Sequence, residues 1–509
     1  MVVLIAALYL PSLDNPLVWD DEILVSRAHS MSMGAALKGE PGQYQRPLTV
    51  LSYVTQDRLG GGPRALHAFN LGLHTLVVLL LYGLLLRLGI GRSVALAGSV
   101  IFGVHPVQSA AVAYISGRTD LLAAFFSLIA LHAVLAARTD GTRAGVHALL
   151  AGAGVLAAAL CKEIGLLAGP VVFALWYLRR RNEALRDAWL PIAVGIATLA
   201  GAALVLPSAL SESGSVEWST RLRGAGTALT TYARLLVFPS NLHLDRLTAV
   251  GGSAVIPLGL AVAAAVVGSM VAFFVRPSRL RFAGLAAALL YFPASGLLPV
   301  YPKIANRWVF TPEHFLYLPL GVLAALVAVG VASLVSRYTR ESSRAGSAAA
   351  LAVAVLVLAL SVAPVLARQS QLADPESVYR ATLAHSPSPR ACFNLGVSLI
   401  GREAYDEAVF VYERCAELSP SDAGVYVQLG VAHQYARRPR EAEQAYLKAV
   451  ELNPGDAQAW SNYASLDASL GRFDQARQKW QQALAIDPDF GPARTGLRRL
   501  EAFERLAPR

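Results

Sequence analysis

The chain is poor in charge, with Asp, Glu, Lys and Arg making up only 15% of its 509 residues. Lysine is rarer still, at positions 38, 162, 303, 448 and 479 alone, so the basic residues are almost all arginine. With the abundance of alanine, this suggests a GC-rich bacterial genome. The three cysteines, Cys161, Cys392 and Cys415, have no metal-ligand spacing, and no metal site is expected. Met1 leads straight into the apolar run Val2 to Leu10, without a basic n-region or a small-residue cleavage site. That reads as a first membrane helix, not a cleaved signal peptide. No basic stripe is interleaved with aromatics, so the net charge of +10 does not point to nucleic acid.

What is present is apolar surface in quantity. Hydrophobic residues reach 55% and the mean hydropathy is +0.47, outside the norm for soluble domains. The apolar runs fall near 2–12, 66–88, 94–114, 119–137, 145–161, 164–178, 188–206, 254–275, 282–299, 314–336 and 346–367. A membrane crossing takes about 20 such residues, so a bundle of about eleven helices is expected. The runs at 2–12 and 164–178 are short, and one of them could be re-entrant.

The arginines cluster at the ends of these runs and orient them. With the amino terminus in the cytoplasm, the cytoplasmic turns hold Arg87 and Arg92, Arg138 and Arg143, Arg179 to Arg181 with Arg186, Arg276 with Arg279 and Arg281, and Arg337 with Arg340 and Arg344. Every such turn is basic, as the positive-inside rule requires. The segments 13–65 and 207–253, and everything after Arg368, then lie outside the cytoplasm. The expected location is a bacterial inner membrane, with multiple passes.

Beyond residue 368 the character changes to polar, amphipathic helices with a 34-residue period. Pro420, Pro454 and Pro488 keep it, as do Gly396, Gly430 and Ala464; Ala408, Ala442 and Ala476; and Tyr412, Tyr446 and Trp480. Small residues where helices cross, aromatics between them and a terminating proline make the tetratricopeptide pattern. The expected division is a membrane domain over 1–368 and a repeat domain over 374–509, with repeats near 387–420, 421–454 and 455–488 and a capping helix. Cys392 takes the place of Tyr426 and Trp460, and Cys415 that of Ala449, so both read as core packing, although an oxidising compartment would permit a disulfide. Such arrays bind peptides or partner proteins in a concave groove.

Several polar groups gather at the external ends of the helices. Asp20, Asp21 and Glu22 follow Trp19 in the first external segment, and Arg46 lies on the same side. A carboxylate there could take the proton of an attacking hydroxyl; if the segment is extended, neighbouring acids point opposite ways and only one reaches a substrate. The other would hold an arginine, a backbone group or a cation. His67, Asn70 and His74 share one helix face, and a polar stripe in a membrane helix faces protein or a water-filled cavity. His105, Arg118 and Asp120 mark a further external turn, and Lys162 with Glu163 another. Arg46, Arg118, Lys162 and Arg307 could converge on a phosphate leaving group, which needs cations where its charge develops.

Taken in order, Val18-Trp19-Asp20-Asp21, Gln45-Arg46-Pro47-Leu48, His67…Asn70…His74, His105-Pro106-Val107, Ser116 to Ala123, Cys161-Lys162-Glu163 and Phe315 to Pro319 resemble one family. It is that of the transmembrane and tetratricopeptide-repeat-containing O-mannosyltransferases and their bacterial relatives, within the class C glycosyltransferase group. The resemblance implies an all-α fold, a polytopic helix bundle followed by a repeat solenoid. It also implies transfer of a sugar, such as mannose, from a polyprenyl-phosphate carrier to Ser or Thr of proteins outside the cytoplasm, with inversion. By that resemblance Asp20 or Asp21 is the base, and Arg118 and Lys162 meet the lipid phosphate, oriented by Asp120 and Glu163. Partners would be the lipid-linked donor, a protein acceptor in the repeat groove and the surrounding lipids. A divalent cation is left open as cofactor. Two departures stand out: Ala110 replaces an acid after His-Pro-Val, and Glu313-His314 replaces a basic residue with Glu before Phe-Leu-Tyr-Leu-Pro. The competing reading is an inert membrane anchor that displays a repeat scaffold for envelope complexes; a transporter ranks last, because the polar residues gather at helix ends and not at mid-membrane.

Overall fold

The computed structural model describes residues 1–38, 46–137, 144–180, 189–211, 216–297, 304–305, 308–338 and 343–506. The chain forms two compact units, Met1–Val378 and Tyr379–Arg509.

Among the described residues of the first unit, six helices are long and apolar enough to cross a membrane. They are Pro63–Arg87, Ile115–Ala136, Trp189–Pro207, Ser253–Val275, Glu313–Arg337 and Arg344–Leu372. The pair Arg92–Val104 and Pro106–Val112, bent by 51°, passes the same length and hydropathy test only when the two helices are taken together, as a broken span or a re-entrant loop. The bend has a local cause: Pro106 offers no N–H to continue the helix, and His105 before it is extended (φ −61, ψ 132). Val2–Asp14 and Gly145–Cys161 are shorter apolar helices.

Each apolar run therefore holds a helix, but not each helix is a full span. Ala168–Arg180 and Arg279–Tyr291 have 13 residues apiece, about 20 Å of helix against a hydrocarbon core of about 30 Å. The second stops where the chain enters the turn Pro293–Ser295 and Gly296 adopts a left-handed φ of 78°.

The loops carry structure that hydropathy does not reveal. Between the first two apolar runs lie the helices Asp20–Ser30, Met33–Lys38 and Pro47–Arg58. The segment 207–253 contains a 20-residue helix, Trp218–Val237. The fold is all-α as expected, with one small three-stranded antiparallel sheet in its loops: Leu247–Ala249 pairs with Trp308–Phe310, which pairs in turn with Ile304–Ala305. It ties together two loops that are distant in sequence.

The second unit is helical throughout its described residues. Three helix pairs, Pro389–Gly401 with Tyr405–Leu418, Ala423–Tyr435 with Pro439–Leu452, and Ala457–Ser469 with Phe473–Ile486, precede the final helix Gly491–Leu506. Ser388, Asp422 and Asp456 cap first helices by accepting from backbone N–H groups. The glycine register has a steric reason: a Cβ on Gly430 would lie 2.6 Å from the Tyr446 ring, and one on Gly396 would collide with Tyr412. Cys392 and Cys415 are not merely packed. They face each other across the first pair and form a disulfide with Cα atoms 5.6 Å apart. The same small-residue crossing that brings the helices together brings the two sulfurs within bonding range.

Candidate functional site

The acidic triplet opens a helix and is not extended. Trp19, buried to 7% exposure, reverses the chain with a positive φ of 61°, a conformation costing on the order of 1–3 kcal/mol for a residue other than glycine. Asp20, Asp21 and Glu22 form the first turn of Asp20–Ser30, where the helix dipole favours negative charge. Helical rotation sends the three side chains in different directions: Asp20 is half-buried, Asp21 fully buried and Glu22 exposed.

Asp21 holds backbone. Its carboxylate accepts from the N–H groups of Ser116 at 2.9 Å, Ile115 at 3.4 Å and Val18 at 3.5 Å. Burial pushes its carboxyl well above the usual carboxylate range, while these three donors pull it back down. The backbone N–H of Asp20 donates to the Tyr114 hydroxyl at 3.2 Å, so the acidic turn is pinned to the 114–116 turn at two points. Asn70 fixes the carbonyls of that turn, donating to Tyr114 and Ile115 at 3.1 Å each.

Arg118 is fully buried. It donates to Asn70 Oδ1 (3.0 Å), Gln56 Oε1 (2.9 Å), Ser52 Oγ (3.3 Å) and the Leu66 carbonyl (3.2 Å), and lies over the rings of Tyr53 and Phe69 at 4.3 and 4.5 Å. This guanidinium is a hub between the Pro47–Arg58 and Pro63–Arg87 helices. Gly117 before it packs so closely on the Ala111 carbonyl that a Cβ would collide.

Two ion pairs form across the chain instead of within each turn. Arg46 donates through Nε and Nη2 to the two Glu163 oxygens, both at 3.0 Å. Lys162 Nζ donates to both Asp120 oxygens at 2.7 Å and sits 5.1 Å from the Phe315 ring centroid. Arg46 keeps 22% of its side chain exposed, whereas Glu163, Asp120 and Lys162 are buried. Tyr53 is an electrostatic neighbour of Asp21, Arg118 and Arg46, which places these groups in one region.

The histidines are packed. His74 bonds the Tyr317 hydroxyl at 2.8 Å and the Gly103 carbonyl at 3.1 Å, edge-on to Tyr9. His105 bonds the Leu236 carbonyl at 3.1 Å and accepts from the N–H of Val107. His67 lies beside the Asn15 backbone; neither ring nitrogen has a geometrically sound hydrogen bond among the described residues. Arg307 lies outside the described residues. Among the described residues no group of three His, Cys, Asp or Glu side chains could hold a metal ion.

Beside this polar region is an apolar cavity of about 350 Å³. Its wall on the Pro63–Arg87 side runs from Val77 through Leu88 to Ile90, about 20 Å of chain at helical rise. At one end Ala168 and Tyr317 line it, closely following Glu163 and Phe315; Arg279 lies at the other.

Sequence reasoning passed over a second buried group. Glu313 accepts from the N–H of His243 at 2.7 Å and from Arg246 Nη2 at 2.9 Å. Arg368 donates from Nη1 to the Leu242 carbonyl at 3.0 Å and Gln371 Oε1 at 3.2 Å. Arg368 is a single arginine at the end of an apolar run, a place where arginine also serves as a topology signal. The pattern alone gave no reason to look further.

Tetratricopeptide-repeat models match residues 389–422 and 427–489. The chain is similar to protein O-mannosyl-transferase TMTC4 of Mus musculus, 35% identical over 145 residues, which cover 24% of this chain and 19% of that protein. Protein O-mannosyl-transferase F38B6.6 of Caenorhabditis elegans is 31% identical over 141 residues, covering 27% of this chain and 19% of its own. TMTC1 of Mus musculus is 42% identical over 87 residues, 17% of this chain and 9% of the relative. The chain thus spans about a fifth or less of the length of these relatives. Among solved structures, the Arabidopsis OM64 TPR domain is 21% identical with a TM-score of 0.22, covering 23% of this chain and 95% of that domain. MamA is likewise 21% identical, with a TM-score of 0.25 and coverage of 26% and 78%.

Proposed function

We propose that this chain is an integral membrane glycosyltransferase that moves a hexose, such as mannose, from a polyprenyl-phosphate carrier to Ser or Thr of proteins. The observation that carries the proposal is the half-buried Asp20, held at a helix start by its buried neighbour Asp21, in the region of Arg46 and pinned to the distant 114–116 turn. Asp20 is the base. It takes the proton of the acceptor hydroxyl as that oxygen bonds to the anomeric carbon. The bond from that carbon to the phosphate oxygen breaks on the opposite face, the configuration inverts, and polyprenyl phosphate leaves.

The other residues act by position. Asp21, Asn70 and Arg118 hold the 114–118 turn against the acidic helix. Lys162–Asp120 and Arg46–Glu163 set a rigid polar rim near one end of the apolar cavity, which suits an isoprenoid chain. Of these cations, Arg46 keeps exposed surface to meet the phosphate.

The positive-inside pattern supports an external location for this rim and for the repeat unit at a bacterial inner membrane, and the Cys392–Cys415 disulfide supports an oxidising compartment for the repeats. The repeat groove would present the protein acceptor. The test is a comparison of envelope glycoproteins with and without the gene. A single hexose missing from defined Ser or Thr peptides is the expected result; an unchanged glycoprotein profile would count against transfer to protein.

A further inference from the structure

Arg368 has an unusual inventory for a buried guanidinium. Its relative exposure is 1%, and its Nη1 is tied to the Leu242 carbonyl and Gln371. Its Nε and Nη2 have no hydrogen-bond partner among the described residues. Those two atoms form the edge with which an arginine grips an oxyanion in two parallel bonds. Arg46 shows the same edge occupied in this protein, with Nε and Nη2 each 3.0 Å from a Glu163 oxygen. In Arg368 the anchored Nη1 aims the edge, and nothing described fills it.

Its surroundings narrow the ligand. Glu313 and Arg246 are the charged neighbours that act on Arg368. They pair with each other through Glu313 Oε1 and Arg246 Nη2, and each keeps one buried atom without a partner among the described residues: Glu313 Oε2 and Arg246 Nε. Arg368 and Glu313 bond adjacent backbone groups, the Leu242 carbonyl and the His243 N–H, so three donor nitrogens on two cations share one buried group with an unsatisfied carboxylate oxygen. Desolvated polar atoms of this kind are disfavoured unless a water or ligand completes them. A carboxylate ligand could accept from the arginines but has no proton for Glu313. A phosphate monoester monoanion has both: oxygens for the guanidinium edge and a P–OH for the carboxylate. A phosphodiester lacks that hydroxyl.

We infer that Arg368, with Arg246 and Glu313, forms a binding site for a phosphate group that retains a P–OH, by the open Nε–Nη2 edge of Arg368 and a P–OH donated to Glu313. The ligand is either free inorganic phosphate or the head group of a lipid monophosphate. The lipid source rests on the transferase reading, in which polyprenyl phosphate is the product and this site would retain it after transfer; the anion site itself does not.

The test is calorimetric titration of the detergent-solubilised full chain with inorganic phosphate and, separately, with undecaprenyl phosphate. Wild type is expected to bind, and Arg368→Gln to weaken binding roughly tenfold or more by removing the two-bond edge. Arg368→Lys, which keeps charge without the edge, should fall between them. Glu313→Gln should weaken phosphate binding but not sulfate binding, because sulfate at neutral pH has no proton to donate to the carboxylate; misfolding cannot produce that change of selectivity. Much tighter binding of undecaprenyl phosphate, with the excess lost in Arg368→Gln, identifies the lipid source, and equal binding of the two ligands, weakened in Arg368→Gln, identifies the free anion; both support the site. Absence of binding by wild type, or equal affinity in Arg368→Gln and wild type, would overturn the inference. The transferase reading would still stand or fall on Asp20, because this titration measures no transfer.

Discussion

The Asp21 carboxylate accepts a hydrogen bond from the Ser116 N–H at 2.9 Å, across 95 residues of sequence. That contact divides the labour of two adjacent acids. The buried one fastens the loop to the bundle, and the half-buried one is left at the rim. Asp21→Ala should therefore destabilise the protein by about 1–3 kcal/mol, the usual loss when buried N–H groups lose their acceptor. Asp20→Asn, which keeps the size of a half-buried side chain, should cost less than Asp21→Ala. Thermal unfolding in detergent checks both.

The raised pKa of Asp21 gives a pH dependence with a definite sign. The folded protein favours the protonated carboxyl more than the unfolded chain does. This contribution is fully present below the unfolded value of about 4 and is lost as pH rises through the higher folded value. Asp21→Asn does not titrate there. The stability of wild type relative to Asp21→Asn should thus decline from pH 4 toward neutrality. Each tenfold difference in proton affinity between the folded and unfolded chain contributes about 1.4 kcal/mol to that decline. A difference that grows with pH would contradict the assignment.

Lys162 and Asp120 are a buried pair with side-chain exposures of 4% and 3%. Removing one partner strands the other charge, so Lys162→Met alone should cost about 3–5 kcal/mol. Lys162→Met with Asp120→Leu should recover most of that loss. Unfolding of the singles and the double measures the coupling, and additive effects would show that the two side chains do not act as a pair.

The Cys392–Cys415 disulfide closes a loop with a sequence separation of 23. Reduction should destabilise the repeat unit by about 3 kcal/mol. Limited proteolysis of the full chain with and without reductant should then show faster cleavage after residue 379. Mass spectrometry of the untreated protein checks the bond itself.

Hydropathy located the helices of the apolar runs and the 34-residue period located the repeats, because both rest on side-chain patterns that repeat locally. Pairing partners do not repeat locally. Lys162 and Glu163 are neighbours in sequence, and so nearly are Arg118 and Asp120, yet the folded pairs are Lys162–Asp120 and Arg46–Glu163. Arg118, read from its position as a phosphate ligand, makes four hydrogen bonds inside the bundle. Arg368 could not be singled out from sequence, since what distinguishes it is an open edge in a buried place. The helices of the 13–65 segment were missed because short helices of mixed composition leave little trace in hydropathy.

The proposal depends most on Asp20. Purified protein should transfer mannose from undecaprenyl-phosphate mannose to a Ser- and Thr-containing acceptor peptide, and Asp20→Asn should lower kcat by about 10²–10⁴-fold, the range for loss of a general base, with the fold intact. Transfer at the wild-type rate by folded Asp20→Asn would contradict the account.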